Sequence, residues 1–252
     1  FCGSKKSLAT GAPLAKVVHD ALIETRDVDV LGDLLRNMTA RLTQPGLEIV
    51  VGLSRTHKEL CQPLLRRPEM RPSSAYVMFW WCGAEDRKLI LQRFAVSREA
   101  MQEVAEDIFA LAAEENWQDP VARKALQFIE RRQRNRAAMA KSPYGGLEQA
   151  VAAAAEQGLS PDLAGEIAHM CGVKPLTGAK IMGDDGGEPL AILCKATGMT
   201  KLSLRQLWRS LRRLEVLPNG EPNPAWSHVL VTYDMLAVDR AQTVLRYWNW
   251  SL

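Results

Sequence analysis

The stretch SPDLAGEIAHMCG, residues Ser160–Gly172, contains the signals for one complete short helix. Ser160 is a preferred N-cap residue, Pro161 suits the first helical turn, and the carboxylate of Asp162 complements the partial positive charge there. Gly172 follows where the chain can leave the helix in a left-handed conformation. The apolar residues between these ends share one face: Leu163, Ile167 and Met170. The stretch therefore predicts a short helix with one buried side.

The same signals, proline before and glycine after a periodic apolar segment, recur along the chain and predict a series of helices. The predicted helices cover residues 13–25, 28–36, 45–54, 57–66, 72–82, 85–94, 98–115, 120–140, 146–157, 161–171, 175–182, 188–197, 203–214 and 239–250. Helices of about ten residues are unstable alone, so each must pack against its neighbours. We therefore predict an all-α fold, an irregular α-solenoid or HEAT-like array of short helices. Ser227–Tyr233 (SHVLVTY) is the one segment for which we also consider a β-strand.

The composition indicates a folded globular protein, because 47% of the 252 residues are hydrophobic and 24% are charged. The most apolar run, Ala75–Cys82, is far shorter than the roughly 18 residues of a membrane span. Five cysteines without a C-x-x-C pair favour reduced thiols, and hence a cytoplasmic protein. The formal net charge of +3 is too small to identify a nucleic-acid-binding protein.

The order of these segments predicts a flexible lead-in followed by two helical blocks. Residues 1–11 (FCGSKKSLATG) contain no apolar run and form the predicted lead-in. The turn cluster Lys141–Gly146 (KSPYGG) follows a long basic helix and marks a boundary. We therefore predict an N-terminal helical-repeat block over residues 12–142 and a C-terminal helical block over residues 143–252.

Three stretches resemble a known family: Leu64–Phe94 (LLRRPEMRPSSAYVMFWWCGAEDRKLILQRF), Ile167–Thr197 (IAHMCGVKPLTGAKIMGDDGGEPLAILCKAT) and Arg240–Trp248 (RAQTVLRYW). They are similar to an alphaproteobacterial, HEAT-like helical-repeat family that is described only as a domain of unknown function. The shared motifs are packing and turn patterns rather than chemical signatures. The resemblance implies a helical protein of the bacterial cytoplasm, and it supplies no substrate, cofactor or catalytic residue.

Residues that could support catalysis or bind a metal are scattered in the sequence. No serine or cysteine lies in a nucleophile motif, and the four histidines occur singly. His169 and Cys171 are two residues apart on a helix, so their side chains point to different faces and cannot bind one metal together. We expect no catalytic centre, no metal site and no cofactor.

The loop Gly183–Pro189 (GDDGGEP) is the most distinctive turn in the sequence. Glycines ahead of a helix can present N–H groups to an anion. The carboxylates of Asp184, Asp185 and Glu188 would repel a phosphate, and the loop lacks the ligand pattern of a calcium-binding EF-hand. We therefore favour a rigid turn between helices.

A first basic helix is predicted around residues 120–140. Its C-terminal half carries a group of arginines: Arg131, Arg132, Arg134 and Arg136. Such a group can neutralise phosphates of a nucleic acid. A solvated helix whose cations complement its negative end is the simpler alternative.

A second basic helix is predicted over residues 203–214. Arg205, Arg209 and Arg213 are four residues apart, so they share a face in a helix beside Trp208, with Arg212 adjacent. Arginine side chains pair bidentately with phosphates and carboxylates, so these residues could bind a nucleotide, RNA or an acidic helix. An ordinary amphipathic helix with exposed arginines is the alternative.

Three consecutive aromatic residues, Phe79, Trp80 and Trp81, form a further candidate interaction surface. Three adjacent residues cover most of a helix circumference, so they cannot all face one core. At least one of them is expected to contact a neighbouring helix, a second subunit or a partner.

These observations favour a non-catalytic interaction or regulatory module that presents a surface to a protein partner. The alternative is a ligand-sensing or nucleic-acid-binding protein that uses its arginines to bind a signalling nucleotide, RNA or DNA. An enzyme ranks third, because it would need a cleft whose groups converge only in the fold.

Overall fold

A computed structural model describes residues 16–97, 100, 107 and 140–251. The described residues contain α-helices, one 3₁₀ turn and one isolated antiparallel bridge, between Val216 and Pro222, and no β-strand. The predicted all-α fold class is confirmed. The HEAT-like arrangement of the helices stays a prediction. No helix within the described ranges is both long enough and apolar enough to cross a membrane.

The chain divides into two compact units after Phe94. The predicted block boundary near residues 142 and 143 stays a prediction. Most of residues 98–140, where two helices were predicted, lie outside the described residues.

The first unit contains six described α-helices and one 3₁₀ turn. They are α1 (Lys16–Glu24), α2 (Val28–Arg36), α3 (Gln44–Leu53), the 3₁₀ turn Lys58–Leu60, α4 (Cys61–Arg66), α5 (Pro72–Met78) and α6 (Ala84–Phe94). Asp27 caps α2 by accepting from the N–H of Val30, and Thr43 caps α3 by accepting from the N–H of Gly46. Helix α4 contacts α2, α3 and α6, which places it inside the unit.

A buried arginine links the end of α4 to the loop that follows α2. The side chain of Arg67 is fully buried, and its guanidinium donates to the carbonyl oxygens of Asn37 (2.8 Å) and Ala40. It also pairs with the carboxylate of Glu69 at 2.9 Å. A buried charge is tolerated only when it is paired and hydrogen-bonded, and Arg67 meets both conditions.

The second unit contains seven described helices. They are α7 (Leu147–Gln157), α8 (Pro161–Met170), α9 (Pro175–Met182), α10 (Glu188–Thr197), α11 (Lys201–Ser210), α12 (Pro224–Met235) and α13 (Val238–Ser251). Ser160 caps α8 as the sequence indicates, because its side chain accepts from the N–H of Leu163 at 3.2 Å. Thr200 and Asn223 cap α11 and α12 in the same way.

Helix α10 is the centre of the second unit. It contacts α9, α11, α12 and α13, and eight of its ten residues are buried. Gly187 and Gly198, on either side of α10, both have the left-handed backbone conformation that glycine adopts without strain. The predicted helix at 188–197 is confirmed with these bounds.

The structure differs from the sequence interpretation at two places in this unit. Residues 227–233, for which a β-strand was also considered, lie inside α12. This helix starts at Pro224 and contains the β-branched residues that suggested a strand. The predicted helix over residues 203–214 ends at Ser210, because Arg212 has a φ of 58° and turns the chain out of the helix.

Candidate functional site

Helix α11 has one buried and one exposed face. Leu204, Leu207 and Trp208 are buried, whereas Arg205 and Arg209 are exposed. The separation follows from the helical period, because residues four apart lie on the same side. Arg205 and Arg209 are therefore presented together, as the sequence predicts.

Both arginines pair with one carboxylate from the segment that follows the helix. The Nε atom of Arg209 donates to Oε1 of Glu215 at 2.6 Å, and the Nε atom of Arg205 lies 3.1 Å from Oε2. One negative charge faces two positive charges, so the group keeps a net positive charge. Because both guanidinium groups are exposed, water and salt weaken these ion pairs.

Exposed apolar residues precede and follow these arginines in the sequence. Leu202 occupies the same face of α11 one turn before Arg205, and 64% of it is exposed. Leu214 and Val216 flank Glu215 in the chain and are 55% and 54% exposed. Because Glu215 contacts the arginines, the backbone of this segment passes close to them. We call the five residues Leu202, Arg205, Arg209, Leu214 and Val216 the α11 surface.

Arg213 does not lie on this surface, which corrects the expectation that it shares a face with Arg205 and Arg209. It lies beyond the end of α11, and its Nη2 atom donates to the carbonyl oxygen of Met182 at 2.8 Å. The guanidinium carbon is 5.1 Å from the ring centroid of Trp208. Burial lowers the pKa of Arg213, although the nearby carboxylates of Asp184 and Asp185 act in the opposite direction.

Trp208 is a core residue rather than part of an exposed binding surface. Its ring is buried against Trp226, with the two centroids 5.3 Å apart, and its Nε1 atom donates to the carbonyl oxygen of Leu214 at 3.2 Å. Trp208 therefore anchors the segment that follows α11. Arg212 is exposed next to the turn.

The loop before α10 packs closely against the same tryptophan. A Cβ atom on Gly187 would lie 2.4 Å from Cζ3 of Trp208 and 3.0 Å from Nη1 of Arg213. Asp184 closes the loop by accepting from the N–H of Gly187 at 3.0 Å. This geometry is that of a rigid turn, which the sequence favours over an anion or calcium site.

The three consecutive aromatic residues differ in burial. Phe79 is fully buried beneath the guanidinium of Arg87, so the expectation that it contributes to a surface is wrong. Trp80 and Trp81 are half-buried. Trp81 donates from Nε1 to the hydroxyl oxygen of Ser54 at 3.1 Å, which ties it to the end of α3.

The remaining predicted residues, Arg131, Arg132, Arg134 and Arg136, lie outside the described residues. Sequence reasoning missed Glu215, the carboxylate that joins Arg205 and Arg209. Glu215 follows the helix end, so helical periodicity does not relate it to the arginines. The only feature that distinguishes Glu215 in the sequence is that it lies between two apolar residues, Leu214 and Val216.

A family model described as an uncharacterised protein conserved in bacteria (DUF2336) matches residues 7–246. Comparison with curated proteins gave no match, and comparison with solved structures gave none either.

Proposed function

Since the chain belongs to the DUF2336 family of uncharacterised bacterial proteins, we propose that it is a non-catalytic helical module that binds an acidic segment of another protein through the α11 surface. The proposal includes a helical-repeat, HEAT-like organisation, a regulatory role and a cytoplasmic location. The location is supported by the cysteines Cys61, Cys82, Cys171 and Cys194, which are all free thiols.

The observation that carries the proposal is that Glu215 joins a segment with exposed apolar residues to two exposed arginines of α11. Arg205 and Arg209 supply guanidinium groups, which form bidentate hydrogen bonds with carboxylates. Leu202, Leu214 and Val216 supply apolar area that a partner can remove from water. An amphipathic helix with aspartate or glutamate along one edge matches both features.

Glu215 favours a carboxylate partner over a phosphate. Its carboxylate already lies between the two arginines, at 2.6 Å from Arg209 and 3.1 Å from Arg205. A partner carboxylate can add to this network or replace Glu215 with little change in charge. A polyanionic nucleotide brings more negative charge close to Glu215 and is repelled by it.

The proposal is tested by reversing the charge of the α11 surface. The variant R205E/R209E is compared with R55E/R66E, which makes the same change in charge at two exposed arginines of the first unit. Proteins bound to each variant in bacterial extract are cross-linked and quantified by mass spectrometry. We expect the native protein and R55E/R66E to recover the same acidic partners. The recovered amount should be about tenfold lower with R205E/R209E, which corresponds to a loss of about 1.4 kcal/mol in binding free energy.

Equal recovery with all three proteins contradicts the proposal. The same variants are then titrated with RNA and with a cyclic dinucleotide. If RNA or the cyclic dinucleotide binds the native protein and R55E/R66E but not R205E/R209E, the result supports the alternative, a nucleotide or nucleic-acid sensor.

A further inference from the structure

The first unit brings together three potential metal-binding side chains that are far apart in sequence. The sulfur atoms of Cys61 and Cys82 and a carboxylate oxygen of Asp86 all lie within 4.8 Å of one another. We propose that these three residues bind one thiophilic divalent cation, and that Zn²⁺ is the ion that fits them best.

The three residues come from separate elements that the fold holds in place. Cys61 is the first residue of α4, Cys82 lies in the turn after α5, and Asp86 lies in the first turn of α6. Helix α6 contacts both α4 and α5. The cluster is therefore set by packing between helices.

The distances are compatible with tetrahedral coordination. A Zn–S bond is about 2.3 Å long, so two thiolates on one zinc ion lie about 3.8 Å apart. The upper limit of 4.8 Å therefore requires the two sulfur atoms to approach each other by about 1 Å or less. Two thiolates and one carboxylate leave a fourth position for water or another ligand, as in zinc sites with three protein ligands.

A hydrogen bond holds the protonated thiol of Cys61 beside the end of α3. Cys61 donates its S–H to the carbonyl oxygen of Ser54, with 3.6 Å between sulfur and oxygen. The hydroxyl of Ser54 donates to the carbonyl oxygen of Val51 at 2.7 Å and accepts from the indole of Trp81. The bond from Cys61 is given up when its thiol loses the proton to bind a metal, whereas the hydrogen bonds of Ser54 remain and keep the end of α3 in place beside the cluster.

Access to the cluster is from the carboxylate side. Cys61 and Cys82 are buried, whereas Asp86 is half-exposed. A cation can therefore reach Asp86 from water and exchange its waters for the two sulfur atoms. Each thiol releases one proton as its metal–sulfur bond forms, so binding of one M²⁺ releases two protons and transfers no electrons.

The charges of the cluster also favour a cation. Two thiolates and one carboxylate carry three negative charges, and a divalent ion neutralises two of them. Lys58 is close enough to Cys61 and Cys82 to interact electrostatically with both. Its positive charge offsets part of the remaining negative charge.

The experiment is a titration of the full, reduced chain with Co²⁺ under anaerobic conditions, followed by displacement with Zn²⁺. Thiolate-bound Co²⁺ has a charge-transfer band in the near ultraviolet, and tetrahedral Co²⁺ has strong visible bands. We expect both bands to saturate at one equivalent and to disappear when Zn²⁺ is added. We expect C61A/C82A to lose the charge-transfer band.

Asp86→Asn keeps both thiols and tests the third ligand. Loss of an outer-shell partner alone lowers metal affinity about tenfold or more, so we expect D86N to lower it at least that much. The matched control is C171A/C194A, which removes two buried cysteines of the second unit and should bind Co²⁺ as the native protein does. Circular dichroism of each variant without metal checks that it is folded.

Three results would overturn the proposal. The first is the absence of a charge-transfer band at one equivalent of Co²⁺ in reduced native protein. The second is an unchanged Co²⁺ affinity in folded D86N or an unchanged spectrum in folded C61A/C82A. The third is loss of the band only in C171A/C194A, which would assign the metal to the other pair of thiols.

Discussion

The guanidinium of Arg213 lies on the ring of Trp208, 5.1 Å from its centroid, and donates to the carbonyl oxygen of Met182. This contact fastens the segment after α11 to the end of α9. The Nη1 atom of Arg213 is buried and has no hydrogen-bond acceptor among the described residues. The contact of Arg213 therefore depends on the ring of Trp208 and on the carbonyl oxygen of Met182. It also depends on the close approach of Gly187 to Trp208 and Arg213.

Gly187→Ala is expected to destabilise the second unit. The added Cβ would lie 2.4 Å from Trp208, in addition to the strain of a φ of 81°. The control is Gly198→Ala, at a φ of 78° with no atom within 4 Å of the added Cβ. We expect about 1 kcal/mol of destabilisation for G198A and about 1–3 kcal/mol more for G187A. Urea unfolding measures both, and equal losses would contradict the described packing.

Arg67→Ala is expected to destabilise the first unit by about 3–5 kcal/mol, because it removes a fully buried guanidinium that pairs with Glu69 and donates to two carbonyl oxygens. Arg66→Ala, at an exposed neighbouring position, is the control and should change stability by less than about 0.5 kcal/mol. Denaturant unfolding gives both values. A loss below about 1 kcal/mol for R67A would show that the pair contributes little.

Glu215→Gln is expected to strengthen binding to an acidic partner. The amide keeps a hydrogen-bonding oxygen but removes the negative charge between Arg205 and Arg209. A synthetic amphipathic helix with glutamates on one edge serves as the probe, and fluorescence anisotropy gives its Kd. We expect a Kd about threefold lower, in line with about 0.6 kcal/mol for an exposed ion pair.

Glu221→Gln removes a second exposed carboxylate from the segment after α11 and is the control for this measurement. Its effect on the Kd should be smaller. A weaker affinity in E215Q than in the native protein would show that Glu215 positions the arginines rather than competing with the partner.

Alkaline pH is expected to lower the stability of the second unit through its two buried cysteines. Burial raises the pKa of Cys171 to about 12 and raises the pKa of Cys194 well above its ordinary value. An unfolded thiol loses its proton near pH 8.5, at a pH where the folded protein keeps it. The unfolded state then binds fewer protons, so the free energy of unfolding is unaffected below about pH 8 and falls from there towards about pH 12.

Urea unfolding under reducing conditions at about pH 8 and about pH 10 measures this decrease. The variant C171A/C194A should show a smaller decrease between the two pH values, whatever its stability at neutral pH. The same slope in both proteins would mean that other groups cause the pH dependence.

Local signals explain why most helices could be predicted from the sequence. Ser160, Pro161 and Gly172 delimit α8 almost as expected, because caps act on their immediate neighbours. Asn223 and Pro224 give the same signal for α12, but the β-branched residues that follow obscured it. The early end of α11 has no such signal, since Arg212 adopts a left-handed conformation uncommon for residues other than glycine.

The contacts around the candidate sites could not be predicted, because they join residues without a periodic relation. The pairing of Glu215 with Arg205 and Arg209 depends on where α11 ends. The approach of Cys61 to Cys82 depends on the packing of three helices, so twenty intervening residues conceal it. In contrast, the shared face of Arg205 and Arg209 follows from helical geometry alone.

The burial of α10 on nearly all sides has a consequence for how this family can vary. A helix with one solvent-exposed face tolerates polar substitutions at every third or fourth position. In α10, only Lys195 and Thr197 are partly exposed. A saturation-mutagenesis screen should therefore find that substitutions are poorly tolerated at nearly every position of α10. In α11, tolerated and poorly tolerated positions should alternate with the helical period. Within the family, sequence changes in the second unit would then accumulate in the helices around α10, while the sequence of α10 itself changes little.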